Sequence, residues 1–115
     1  MRFRVYLIEI EASPFTASAF RAVIEYGGFD ATDPEPGPDG VSESLFVTVP
    51  LGLSEEHFLE VIRKIASEPP FKDTVSLRSI EDVGLVVERE NLLNALRRQF
   101  HDQSRKLEEI KRLLG

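Results

Sequence analysis

The chain contains no cysteine. Disulfides, thiolate nucleophiles and cysteine-based zinc sites are therefore excluded. Histidine is nearly as scarce. His57 and His101 are the only two, and they do not stand in a metal-ligand spacing. Glu56 and Glu60 near His57 read as solvated helix charge, so no metal site is expected. Nucleophile-elbow and phosphate-loop glycine patterns are also missing. No run approaches the ~20 apolar residues of a membrane span. The opening MRFRVYLIEIEA joins basic residues to an apolar run, but Glu9 and Glu11 interrupt it. It reads as a strand, not a secretory signal, and the expectation is a cytoplasmic protein. These absences point away from an enzyme and from any bound cofactor.

What remains is ordinary globular material. The 115 residues are 42% apolar and 30% charged, enough for one domain with its own core. The net charge of −6 is unevenly spread. Residues 91–115 hold six basic and three acidic side chains, net +3, which leaves −9 on residues 1–90. An acidic head repels nucleic acid and anionic membrane, whereas the basic tail attracts either, or an acidic protein surface.

RFRVYLIEI reads as a central strand. Phe3, Val5 and Leu7 point one way and Tyr6, Ile8 and Ile10 the other, so both faces are covered. Ser13 caps a helix that Pro14 starts and Gly27-Gly28 ends, with Ala17, Phe20, Val23 and Ile24 at helical spacing. FDAT starts a second strand. DPEPGPDG, with three prolines and two glycines, forbids regular structure and reads as a loop or a mobile hairpin tip. ESLFVTVP is a third strand with Leu45, Val47 and Val49 on one face, closing a hairpin over residues 29–50. Ser54 caps a second helix whose stripe is Phe58, Ile62 and Ile65, with Leu53 stapling onto Phe58 and Pro69-Pro70 stopping it. DTVSLRSI is a fourth strand, and VGLVV a short fifth strand or a lead-in.

From about Glu88 to Leu114 the pattern turns helical. Leu93, Leu96, Phe100, Gln103, Leu107, Ile110 and Leu114 recur at alternating spacings of 3 and 4. This is a heptad seam with one polar break, at Gln103. Leu92 and Leu113 widen it toward a broader surface. Pairing with a second chain and folding back on the chain's own sheet both remain open. The expected architecture is α+β: a ferredoxin-like βαββαβ sandwich over residues 1–82 and a long C-terminal helix over 83–115.

The stretches IEIEASPFTASAFRAVIEYGGFDA and SLFVTVPLGLSEEHFLEVIRKIASEPPFKDTVSLRS resemble the two halves of an ACT-type regulatory domain, and RAM domains share that topology. The resemblance covers residues 3–79 and rests on element order more than on motif residues. It implies a small-molecule-sensing or oligomerising module, often dimeric through its sheets. Amino-acid-binding ACT domains usually carry a glycine after the proline of the first turn, where the ligand approaches the backbone. Here that position is Phe15. Ser13 and Phe15 are the candidate ligand contacts, against a reading in which Ser13 only caps the helix and Phe15 enters the core.

The expected function is a non-catalytic interaction or regulatory module that self-associates or docks on a protein partner. Its candidate interface residues are Tyr6, Ile8 and Phe46, provided their face lies away from the helices, and Leu93, Leu96, Phe100, Leu107 and Ile110 on the tail. Amino-acid sensing is one alternative. Nucleic-acid binding through Arg97, Arg98, Arg105 and Lys106 is another. RNA-recognition motifs share the topology and stack bases on aromatics of the first and third strands, positions comparable to Tyr6 and Phe46. Glu9 and Glu11 share a strand face and could serve as acid and base, although a solvated strand end needs no such role.

Overall fold

The computed structural model describes residues 2–88. In chain order they form β1 (Arg2–Glu11), α1 (Pro14–Tyr26), β2 (Asp30–Ala31), β3 (Glu35–Pro36), β4 (Ser42–Pro50), α2 (Glu55–Ser67) and β5 (Ser76–Glu88). The strands make one five-stranded antiparallel sheet in the order β2-β4-β1-β5, with β3 also pairing to β4. The fold is therefore α+β, with two helices.

The double-sided apolar pattern of β1 is explained by its central place between β4 and β5. Tyr6, Ile8 and Ile10 are essentially sealed under the helices, beside Leu45, Val47 and Val49 of β4. Phe20 and Ile24 come down from α1, and Phe58 and Ile62 from α2. The Tyr6 and Phe58 rings meet at 4.7 Å between centroids, and Phe29 meets Phe58 edge-on at 5.4 Å. Burial pushes the Tyr6 phenol above its ordinary pKa, because the charged form would lose its hydration. Both helices thus pack on one face of the sheet.

Each helix starts where its cap places it. The Ser13 hydroxyl accepts from the Thr16 amide at 3.2 Å, and the Ser54 hydroxyl from the His57 amide at 3.2 Å. After α1 the chain reverses through Gly28, whose φ of +100° suits a residue without a side chain. Leu53 packs against the same core cluster as Phe58.

Several sequence expectations need correction. Phe15 is 86% exposed and does not enter the core. It follows Pro14 on the outer side of the first turn, and the inward stripe begins at Ala17. Val23 is 39% exposed, because Phe20 and Ile24 already define the inward face. The proline-rich segment is not wholly irregular. Glu35 and Pro36 pair with Ser44 and Glu43, which works because Pro36 lies on an edge, where its missing donor costs little. The fourth and fifth strands are one strand, β5, bent by two irregularities in its pairing with β1. Residues 83–88 therefore belong to the sheet, and Glu88 pairs with Arg2 rather than opening a helix. The rest of the expected C-terminal helix lies outside the described residues. Among the described residues no helix is long and apolar enough to cross a membrane.

Candidate functional site

The face of the sheet away from the helices has two unlike halves. The first is set by strand alternation. Opposite the Tyr6–Ile8–Ile10 row, β1 presents Phe3, Val5 and Leu7. The register puts Phe46 across from Leu7 and Val87 across from Phe3. Val5 is fully buried, with Phe46, Val83, Leu85 and Val87 half-buried around it. Between Arg4 and Tyr6 the register of β5 slips, and Val83, Gly84 and Leu85 lie opposite Val5 alone. Gly84 takes φ +76°, and its amide donates to the Asp82 carboxylate at 2.9 Å. Because the slip adds two residues, alternation is kept and Val83, Leu85 and Val87 stay together on this face. Among the described residues, no helix covers the patch.

The second half is charged. A one-residue slip between Glu9 and Ile10 adds Arg78 to β5. Leu77 and Ile80 stay with the core, and Arg78 reaches the opposite face. There its guanidinium sits 3.5 Å from Glu9, 3.2 Å from Glu11 and 2.7 Å from Asp39. The Asp39 carboxylate also accepts from the amides of Val41 and Ser42 and from the Ser42 hydroxyl. The Arg78 hydrogen bond, followed by those from Ser42, holds Asp39 well below the usual carboxylate range. The same contact raises Arg78. Glu9 and Glu11, considered as an acid and base pair, are thus both held by one cation.

At the end of the sheet a wide cleft of about 640 Å³ opens between the β1–α1 turn, the 40–43 segment and the loop entering β5. Ser13, Lys72, Asp73 and Thr74 line it, with Glu43, a residue only 4% exposed. The cleft offers hydroxyls, carboxylates and one ammonium. It could hold a small polar molecule, but no histidine lines it. Among the described residues no group of three or more His, Cys, Asp or Glu side chains is placed to hold a metal ion.

The candidate residues therefore separate. Ser13 lines the cleft, while Phe15 is not among its walls. Tyr6 and Ile8 lie under the helices, so of the three proposed for an exposed patch only Phe46 sits on the open face. The reason is register: Tyr6 pairs with Val47 and Leu7 with Phe46, so Tyr6 and Phe46 point to opposite faces. They cannot form a two-ring platform for bases. Leu93, Leu96, Phe100, Leu107 and Ile110, and the basic Arg97, Arg98, Arg105 and Lys106, lie outside the described residues. Asp39, Lys72 and Arg78 were not singled out from the sequence. GPDG signalled a turn but not its cation, and nothing in SLRSI marks the slip that turns Arg78 outward. No protein-family model, curated protein or solved structure matches the chain.

Proposed function

We propose that the chain is a non-catalytic interaction and regulatory module of ferredoxin-like, ACT- or RAM-type topology. It docks a protein surface, either a second copy or another protein, on the sheet face opposite its helices, with the C-terminal segment taking part. The strand order β2-β4-β1-β5 supports the topology, since it keeps β1 and β4 adjacent at the centre. The observation that carries the function is the apolar patch around Val5, left without a helix among the described residues. Contiguous apolar surface rimmed by charge is typical of a docking site, and the Arg78 cluster forms one such rim.

The test is solution mass by light scattering on the full chain over a range of concentrations, with and without Phe46→Glu. We expect a concentration-dependent dimer for the wild type and a monomer for the variant, with unchanged circular dichroism. A dimer that survives Phe46→Glu puts the interface elsewhere. The cleft beside Ser13 favours a second reading, amino-acid sensing. That reading expects a rise in Tm with an added amino acid, since a ligand that binds only the folded state stabilises it.

A further inference from the structure

We infer that the cleft between the β1–α1 turn, residues 40–43 and the loop entering β5 binds a small organic cation, a primary ammonium, with Glu43 as its anchoring carboxylate. The site rests on the small-molecule reading of that cleft given above and changes its ligand class: the group recognised is the amine alone, not the paired charges of an amino acid.

Glu43 holds an unusual place for a carboxylate. On β4 it belongs to the row of Leu45 and Val47, which faces the helices. Its cross-strand neighbour on β1 is Ile10, sealed in the core. Glu43 itself is only 4% exposed, and carboxylates so deeply placed are ordinarily paired. Among the described residues, the Glu43 side chain has neither a hydrogen bond nor an ion pair. Yet no side-chain oxygen there is sealed away without a partner, so the carboxylate keeps a narrow opening. The cleft lies on the same side of the sheet. Its walls include the start of α1 and Val75, which packs in the core under the helices. The helix-facing row of β4 thus ends with an unpartnered carboxylate directed at the cleft that Glu43 lines.

Two hydroxyls of the cleft have already spent their protons. Ser13 donates to Thr16 Oγ1 at 2.9 Å, and Thr74 donates to the Pro70 carbonyl at 2.9 Å. A hydroxyl carries one proton, so both meet the cleft as acceptors. A primary ammonium brings three N–H donors and no acceptor, which matches a carboxylate and hydroxyl oxygens in kind. A divalent cation fits less well. Calcium asks for six or more oxygen ligands, and among the described residues no group of three or more His, Cys, Asp or Glu stands together. Lys72 is the cleft's own cation. It is exposed, so its flexible stem keeps the charge in water at the rim, beside Asp73. The wider field also favours a cation, since residues 1–90 carry −9 and such a surface raises the local concentration of positive ligands.

Probes of equal carbon count separate the charges: n-butylammonium, butyrate and 2-aminobutyrate. Each is added to the full chain at neutral pH, against the same concentration of KCl, and the melting temperature is read. The expected result is a saturable rise with n-butylammonium, about 5 °C at ten times its Kd, and none with butyrate. Glu43→Gln should weaken that binding at least about tenfold. Its own Tm without a probe should be unchanged or higher, because the amide removes a deeply placed, unpaired charge. Backbone amide NMR of the wild type gives a readout that does not depend on the variant folding, and saturable shifts at residues 40–43 and 72–76 support the site. No rise and no such shifts with n-butylammonium overturn it, as does a rise that Glu43→Gln retains in full. A rise with butyrate alone overturns it in favour of an anion at Lys72. A rise with 2-aminobutyrate alone overturns the amine site but leaves amino-acid sensing standing, whereas no response to any probe removes both.

Discussion

Asp39 and Arg78 tie the 37–42 loop to the far strand across the open face, at 2.7 Å. Because Asp39 is held ionised by Arg78 and then by Ser42, it binds a proton less readily in the folded chain than unfolded, where an aspartate titrates near ~3.9. The stability this provides is fully present above about pH 4 and is lost as the pH falls through the depressed folded value. Asp39→Asn is therefore expected to lower Tm at neutral pH, with the gap to wild type closing below about pH 4. The Asp39 side chain is 39% exposed, so water screens the pair and the gap at neutral pH is small. Thermal melts from acid to neutral pH decide the matter; a gap of equal size at every pH would mean that the loop geometry, not the charge, matters. The contrast with Phe15 is instructive about what a sequence displays. An aromatic next to a helix start reads as core because most buried area comes from such side chains. Its actual direction depends on which side of the first turn faces the sheet, and one position of rotation decides it. Ser13 and Ser54 are legible as caps because the hydrogen bond they make lies within three residues.

The elements with long uninterrupted patterns, β1, β4, α1 and α2, are readable because alternation or helical spacing persists over several residues. β5 is the exception, and its reason is physical. The slip at Arg78 adds one residue and reverses the parity of its side chains, while the slip at Gly84 adds two and keeps it, so a strand of 13 residues looks like two short ones. Gly84 sits in the larger slip at φ +76°, and a Cβ there would meet nothing within 4 Å. Steric room is thus no obstacle, and only the backbone conformation resists substitution. Gly84→Ala should cost about 1–2 kcal/mol, the penalty for a side chain in the left-handed region. Gly52 is a matched control, with open space around its Cβ and no positive φ. Gly52→Ala should be neutral or stabilise by up to ~1 kcal/mol. Urea denaturation of the two variants separates these outcomes, and equal midpoints would remove the slip as a conformational constraint.

At the scale of the whole molecule, the acidic head and basic tail are visible in the sequence, but the faces they present are not. Assigning Tyr6, Ile8 and Phe46 to one patch fails because register, which sequence leaves open, puts Phe46 opposite Leu7 rather than Tyr6. With register in hand, the patch becomes Phe3, Val5, Leu7, Phe46, Leu85 and Val87, and the question is whether the tail contributes free energy through it. A double-mutant cycle in the full chain measures that directly. Phe46→Ala and Phe100→Ala are made singly and together, and urea midpoints are read at concentrations where light scattering gives a monomer. If the two side chains meet across the face, the loss in the double variant is smaller than the sum of the single losses, with a coupling of about 0.5–3 kcal/mol. If the tail lies elsewhere, the losses add to within about 0.5 kcal/mol, as independent sites do.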